Sequence, residues 1–443
     1  MRYMPLSPDD VREMLSAIGV KTIDDLFAPV PKDVRFQGAL DIPEAMSEVE
    51  LRRHVRGLAD ENYDATKSLC FAGGTGYYHY IPSAVNTLSG LPELLTAYTP
   101  YQPELSQGIL MAIFEFQTLM TELTGLAVSN ASLYDGSTAV CEAARMAVNQ
   151  SGKNVVSISS LVHPSYIDTL KSFASFLGYE IRIIPATGDR TDASRIAEYA
   201  KDSACIIIQS PNVLGTIEDV ELVAKNTKSA GSYIVQVVAE TISFGLLKRP
   251  GDLGVDICCG DAQSFGNPLA FGGPYLGFMT CTEEFIRRLP GRIVGETTDR
   301  HGNTVLTLTL RPREQDIRRE KATSNICTNN SNSMLRALIY LLLMGKKGVA
   351  EVARQNYDKA HYFVEKAKSA GLKIFNQNPF FNEVTILLPS KKDNFATDML
   401  QRGFIVSPTE IPGTGKAVTV AVTEMLTKEE IEAFVEALKE VAA

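Results

Sequence analysis

The chain has 443 residues, 45% of them hydrophobic and 21% charged, with a formal net charge of -9. An acidic surface of that kind argues against nucleic acid or an anionic membrane as the main partner. Its longest apolar run, Leu338–Met344, is far too short to span a bilayer, and its first ten residues lack the apolar stretch of a signal peptide. Seven cysteines show neither metal nor disulfide spacing, and the adjacent pair Cys258-Cys259 lies in an apolar run where thiols pack as small hydrophobes. Five scattered histidines likewise lack metal-ligand spacing. The expectation is a metal-free protein of a reducing, cytoplasmic compartment.

Residues 1–65 read as an N-terminal helical arm. Ser7-Pro8-Asp9-Asp10 starts one helix, with Pro8 in its first turn, and the capping-box pattern Ser47-Glu-Val-Glu50 starts another that runs to about Asn62. A glycine-rich segment, residues 71–82, interrupts the helical pattern; its Tyr77-Tyr-His-Tyr80 suits a packed loop or a substrate wall. A proline- and tyrosine-rich loop, residues 97–108, precedes a long amphipathic helix to about Leu123.

From Val128 to about Met279 short apolar strands alternate with helices. The strands are Val155–Ile158, Ile181–Ile184, Cys205–Ile208 and Tyr233–Val238, and the helices Ser165–Leu177, Ala193–Ala200 and Val220–Ala230. Continuous apolar strands separated by helices predict a mostly parallel sheet covered on both faces. After about residue 331 the style changes. Two helices (Met334–Met344 and Gly348–Ser369) lead to strands at Leu372–Phe375 and Glu383–Leu388, a helix at Ala396–Arg402, a strand at Val418–Val422 and a helix after Thr427. The division expected is therefore 1–65, 66–330 for a large α/β domain and 331–443 for a small C-terminal α+β domain.

Ligands of open α/β sheets bind beyond the carboxyl ends of the strands. There Asp135-Gly136-Ser137 opens a helix at about Ser137, and its free N–H groups and hydroxyls suit a phosphate. A capped helix start is the commoner meaning of the same residues. His163 follows the next strand, where an imidazole stacks on a pyridine or, more often, serves structure. Asp256–Pro268 and Phe271–Gly277 together resemble the anchoring turn of a pyridoxal-phosphate enzyme: an apolar strand, a polar turn, then a glycine-rich hairpin. In lysine-anchored relatives the turn reads His-Lys-Thr-Phe, whereas here it reads Ala262-Gln263-Ser264-Phe265. Gln263 thus replaces the Schiff-base lysine, and an amide has no amine to condense with an aldehyde. No lysine occurs between Lys248 and Lys321. The carboxylate such a site needs on the strand 233–238 is also missing: Val237 and Val238 occupy the inward positions and Glu240 stands out of register. The run Arg311–Lys321 reads as a solvated helix face leading into the polar loop 322–330.

Residues 98–108, Ile113–Gln117, Asn130–Gly136, Gly260–Ser264, Phe271–Pro274, Leu289–Arg292 and Arg318–Asn325 together resemble the glycine cleavage system P-protein family, specifically its alpha type. The resemblance covers nearly the whole chain. It implies a fold-type I pyridoxal-phosphate-dependent transferase-like large domain and a role as the non-anchoring alpha subunit of a glycine decarboxylase. Pyridoxal phosphate would sit on the partner beta subunit of an alpha2beta2 assembly. Glycine would lose carbon dioxide there, and the aminomethyl group would pass to the lipoyl group of the H-protein. Carried over by motif, Tyr98, Tyr101 and Gln102 would form an active-site wall. Asp135, Gly136, Ser137 and His163 would be a vestigial cofactor pocket, and Thr323, Ser324, Asn325 and Thr328 would line the interface to the partner's site. Two alternatives stay open: an autonomous enzyme anchored through Lys248 or Lys321, and a catalytically silent scaffold for the beta chain.

Overall fold

The computed structural model describes residues 6–36, 38–95, 98–389, 394–411 and 414–442. Residues 1–5 of the arm and Ala97 of the tyrosine-rich loop lie outside them. The chain divides into two compact units, Met1–Tyr63 and Asp64–Ala443.

The first unit carries helices α1 (Pro8–Ile18) and α2 (Glu48–Asp60) and a 3-10 turn at Ile23–Phe27. All three start on reciprocal capping boxes: Ser7 with Asp10, Thr22 with Asp25, and Ser47 with Glu50. None of the unit's described residues is buried.

The second unit is built on a seven-stranded sheet. In chain order its strands are β1 (Val128–Ser129), β2 (Val155–Ser159), β3 (Glu180–Ile184), β4 (Cys205–Gln209), β5 (Tyr233–Val238), β6 (Ile257–Asp261) and β7 (Gly277–Cys281). In space they run β1-β7-β6-β5-β4-β2-β3. Neighbours from β6 to β3 are parallel, and β7 alone runs antiparallel to both of its neighbours. The central strands β4 and β6 are buried at every position, as a sheet covered on both faces requires. One face packs on the helix α3 (Gln107–Thr124) through Ile113, Phe116 and Met120; the other packs on α4 (Gly136–Ser151) and α5 (Pro164–Leu177) through Val140, Ala144 and Leu170. The expected α/β class with a mostly parallel sheet holds.

A long helix, α6 (Ser331–Ser369), joins the sheet domain to a smaller lobe and breaks at Gly345, whose φ of 60° and ψ of 178° suit glycine alone. Before the break Met334 and Tyr340 pack in the sheet-domain core; after it Ala360 and Phe363 pack in the lobe. The lobe holds a three-stranded antiparallel sheet of Glu383–Leu387, Gly415–Ala421 and Ser407–Ile411. Leu372–Phe375, expected as a strand, makes only an isolated bridge between Ile374 and Ile386. The hairpin of Val294–Thr298 with Thr304–Leu308 was not anticipated, because its first strand ends in the polar, exposed Glu296, Thr297 and Thr298.

Candidate functional site

The carboxyl ends of β4, β5 and β6 meet the glycine-rich segment and the small lobe. Leu69-Cys70 pairs in parallel with Phe404-Ile405 of the lobe, and the Ala421 N–H donates to the Phe71 carbonyl at 2.9 Å. The chain then threads back past the turn that follows β6. A side chain at Gly73 would collide with the Glu383 carboxylate, and Gly74 has φ +105°, in the left-handed region that favours glycine.

Gln263, 2% exposed, stitches this segment to the turn. Its Oε1 accepts the Tyr77 N–H at 2.8 Å, and its Nε2 donates to the carbonyls of Tyr77 at 3.1 Å and Asn267 at 2.6 Å. Every polar atom of the amide is therefore committed to backbone. Tyr77 Oη donates to Glu383 Oε2 at 2.7 Å, and the Gly74 N–H donates to Glu383 Oε1 at 2.7 Å. Burial raises the Glu383 carboxyl to about 7 against the pull of those two donors, and Glu240 adds to the rise.

His79 lies between two carboxylates, with Nε2 2.9 Å from Glu240 Oε2 and Nδ1 2.8 Å from Glu424 Oε2. Burial opposes the ring's charge; Glu240 and Glu424 overcome it and lift the ring to about 10. Glu240, read from sequence as an out-of-register carboxylate, is thus the partner of a buried imidazolium, and it also accepts from Asn382 Nδ2 at 3.2 Å.

The expected phosphate cradle is turned on itself. Asp135 caps α4, its Oδ1 accepting from the Thr138 N–H at 2.8 Å and from Ser137 Oγ at 2.7 Å. The Gly136 N–H donates to Asp261 Oδ2 at 3.1 Å, and a side chain at Gly136 would collide with the Tyr166 hydroxyl. Asp261 is fully buried, and burial raises it to about 7 although three backbone N–H groups favour its charge. His163 caps α5, with Nδ1 2.7 Å from Ser165 Oγ, and burial lowers its ring's affinity for a proton. A Cβ on Gly74 would lie 3.4 Å from His163 Nε2, so the glycine segment takes the space beside the imidazole. Two carboxylates beside the helix start, a saturated amide and an imidazole crowded by the glycine segment do not fit pyridoxal phosphate. Neither lysine of the autonomous alternative is nearby: Lys248 is exposed at 4.0 Å from Glu221, and Lys321 is exposed in the turn before the polar loop.

The wall and interface residues fall into a second cluster. Tyr98 is 67% exposed, and its hydroxyl accepts from Thr328 Oγ1 at 3.4 Å; Thr99 Oγ1 also meets Thr328 Oγ1 at 3.4 Å. The Tyr101 hydroxyl accepts from Arg292 Nη2 at 2.8 Å, and the Arg292 and Arg311 guanidinium carbons lie 5.1 and 5.8 Å from its ring centre. Arg292 is 2% exposed and ion-paired with buried Glu314. The Arg311–Lys321 run is therefore not wholly a solvated face, because Glu314 turns inward to neutralise Arg292. Arg313 reaches the carbonyls of Leu289 and Gly291, and burial together with Arg292 lowers it to about 10. Gln102 and Asn325 are exposed. Thr323 lines a groove of about 490 Å3 with Arg287, Arg288, Arg313, Arg318 and Lys321. Ser324, expected at the interface, is buried and its Oγ accepts the Ile326 N–H at 3.0 Å, so it braces the loop instead.

Sequence reasoning missed His79, Glu383, Glu424 and Arg292. Their partners are far off in the chain, and only the Tyr-His-Tyr run hinted that a polar ring would be packed inside.

The family model of the glycine cleavage system P-protein matches residues 1–438. The chain is 42% identical over 443 residues to glycine dehydrogenase (decarboxylating) subunit 1 of Carboxydothermus hydrogenoformans, covering 99% of each chain. The crystal structure of glycine decarboxylase (P-protein) of the glycine cleavage system, in inhibitor-bound form, matches with a TM-score of 0.93 and 39% identity over 100% of both chains. A cysteine desulfurase from Thermococcus onnurineus shares the fold at a TM-score of 0.63 and 16% identity, over 85% of this chain and 95% of that one.

Proposed function

The chain belongs to the glycine cleavage system P-protein family, in its subunit 1 or alpha form, and on that premise we propose that it completes a glycine decarboxylase whose coenzyme is held by a partner beta subunit. The observation that carries this reading is the commitment of Gln263 to the Tyr77 backbone, in a pocket already filled by residues 73–79. Bound on the partner, pyridoxal phosphate supplies the electron sink for loss of carbon dioxide from glycine.

This chain's own part is a wall. Tyr98, Tyr101 and Thr328 present hydroxyls on an exposed face, with Gln102 and Asn325 beside them in the same two loops. Behind that face Arg292, its charge balanced by Glu314, holds the Tyr101 hydroxyl, and Arg311, paired with Asp316, lies beside the same ring. Thr323 and its cationic groove continue the interface. Covering the partner's site excludes water and holds glycine in register for the lipoyl arm of the H-protein, in an alpha2beta2 assembly.

The test uses the reconstituted complex. Tyr98→Phe combined with Thr328→Ala removes two hydroxyls without removing a ring. Glycine-dependent release of carbon dioxide should fall by about 100-fold, the scale of a misplaced reactant, while the subunits still associate. Unchanged turnover would reduce this chain to a scaffold. A visible absorbance band of lysine-bound coenzyme in the isolated chain, trapped by borohydride, would defeat the reading altogether.

A further inference from the structure

The N-terminal unit has helices with complete caps and no core. Isolated helices of the length of α1 (11 residues) and α2 (13 residues) are marginal in water, and most helical stability comes from packing an apolar face. Here no residue among those described between positions 6 and 63 is buried. Yet the faces are there. In α2, Leu51, Val55 and Leu58 recur at i, i+4, i+7 and are 50, 53 and 52% exposed. In α1, Met14 and Ile18 stand on one face at 50 and 59% exposure. Between the helices Phe27, Phe36 and Ile42 are open as well.

Seventeen large apolar side chains of this unit are exposed, about half of all those exposed among the described residues of the chain. At roughly 80 Å2 each they sum to more than the ~800 Å2 per partner that a stable complex uses.

From this we infer that residues 6–63 form a docking arm whose apolar helix faces are covered by the second, non-identical subunit of the enzyme. The inference rests on the reading of the chain as one of two subunits. It adds which segment carries the association and by which side chains. A second copy of this chain suits the arm less well, because two chains of net charge -9 repel one another and the arm itself has more carboxylates than basic groups.

The test uses the full-length chain, carrying Leu51→Glu with Leu58→Glu in one variant and Met14→Glu with Ile18→Glu in another. Arg53→Ala, outside the 51–55–58 stripe, serves as control. Affinity for subunit 2 is measured by sedimentation, and the thermal midpoint of the isolated chain is recorded alongside. Each double variant should bind at least 30-fold more weakly at an unchanged midpoint, while the control binds as wild type. Independently of any variant, tryptic cleavage at Arg52, Arg53 and Arg56 of the wild-type chain should slow at least tenfold on adding subunit 2. Undiminished affinity in both double variants, or unslowed cleavage, overturns the inference. So does a midpoint that drops with affinity, since the arm would then cover its own chain, and so does loss of self-association instead of subunit 2 binding. Failure of the wild-type chain to bind subunit 2 at all would strike the subunit reading itself.

Discussion

Gln263 and Tyr77 are joined as adjacent strands are: the side-chain amide accepts from the Tyr77 N–H at 2.8 Å and donates to its carbonyl at 3.1 Å. A third bond, to the Asn267 carbonyl at 2.6 Å, leaves the amide nothing to spare. Restoring a lysine here does not restore an anchor. Gln263→Lys should leave the Tyr77 N–H without its acceptor and bury an ammonium, costing about 3 kcal/mol. Titration with pyridoxal phosphate followed by borohydride should leave no reduced adduct at position 263, by peptide mass. Stoichiometric labelling there would show that the pocket is open after all.

His79 links stability to pH. Its ring is lifted to about 10 in the folded chain, by Glu240 and Glu424 acting against burial, from an ordinary value of 6.5. A folded value above the unfolded one gives stabilisation that is full below pH 6.5 and drains away as pH rises through 10. His79→Gln should cost about 3–5 kcal/mol at pH 6.5, because two carboxylates lose their cation. It should also flatten the decline between pH 6.5 and 10, read from urea midpoints across that range. A variant with the wild-type slope would assign the slope to other groups.

Glu383 has the opposite chemistry and the same sign. Burial raises its carboxyl from 4.5 to about 7, so its share of stability is full below pH 4.5 and is lost as pH climbs through 7. Glu383→Gln keeps an acceptor for the Gly74 N–H and a partner for the Tyr77 hydroxyl. It should stabilise the chain by about 1–2 kcal/mol at pH 8.5 and do nothing of the kind at pH 5. Equal effects at both values would mean that Glu383 keeps one charge state throughout.

Around Arg292 the ion pair should outweigh the phenol. Arg292→Ala strands Glu314 without its cation, at a cost of about 3–5 kcal/mol. Tyr101→Phe deletes one acceptor, leaves the ring beneath the guanidinium, and should cost about 1 kcal/mol. Denaturant unfolding of the two variants separates these outcomes; equal losses would contradict the ranking.

The sheet was legible because Cys205–Ile208 is wholly apolar and Tyr233–Val238 is apolar but for Gln236, a pattern that suits strands covered on both faces. That the polar turn carries an amide rather than a lysine was legible as a single residue, Gln263. The network around it was not. His79 meets Glu240 and Glu424 across 161 and 345 positions of chain, and no local pattern announces a contact that only the fold creates. Ser324 misled for a related reason, since a serine in a polar loop looks the same in sequence whether it faces solvent or braces a turn.

The packed glycine segment also fixes what this polypeptide asks of its surroundings. A protein that binds a small molecule in its folded state gains stability in proportion to the logarithm of that molecule's concentration. Here the ligand's place is taken by covalently attached backbone, which cannot be diluted. The stability of this chain should therefore stay the same whether pyridoxal phosphate is scarce or abundant.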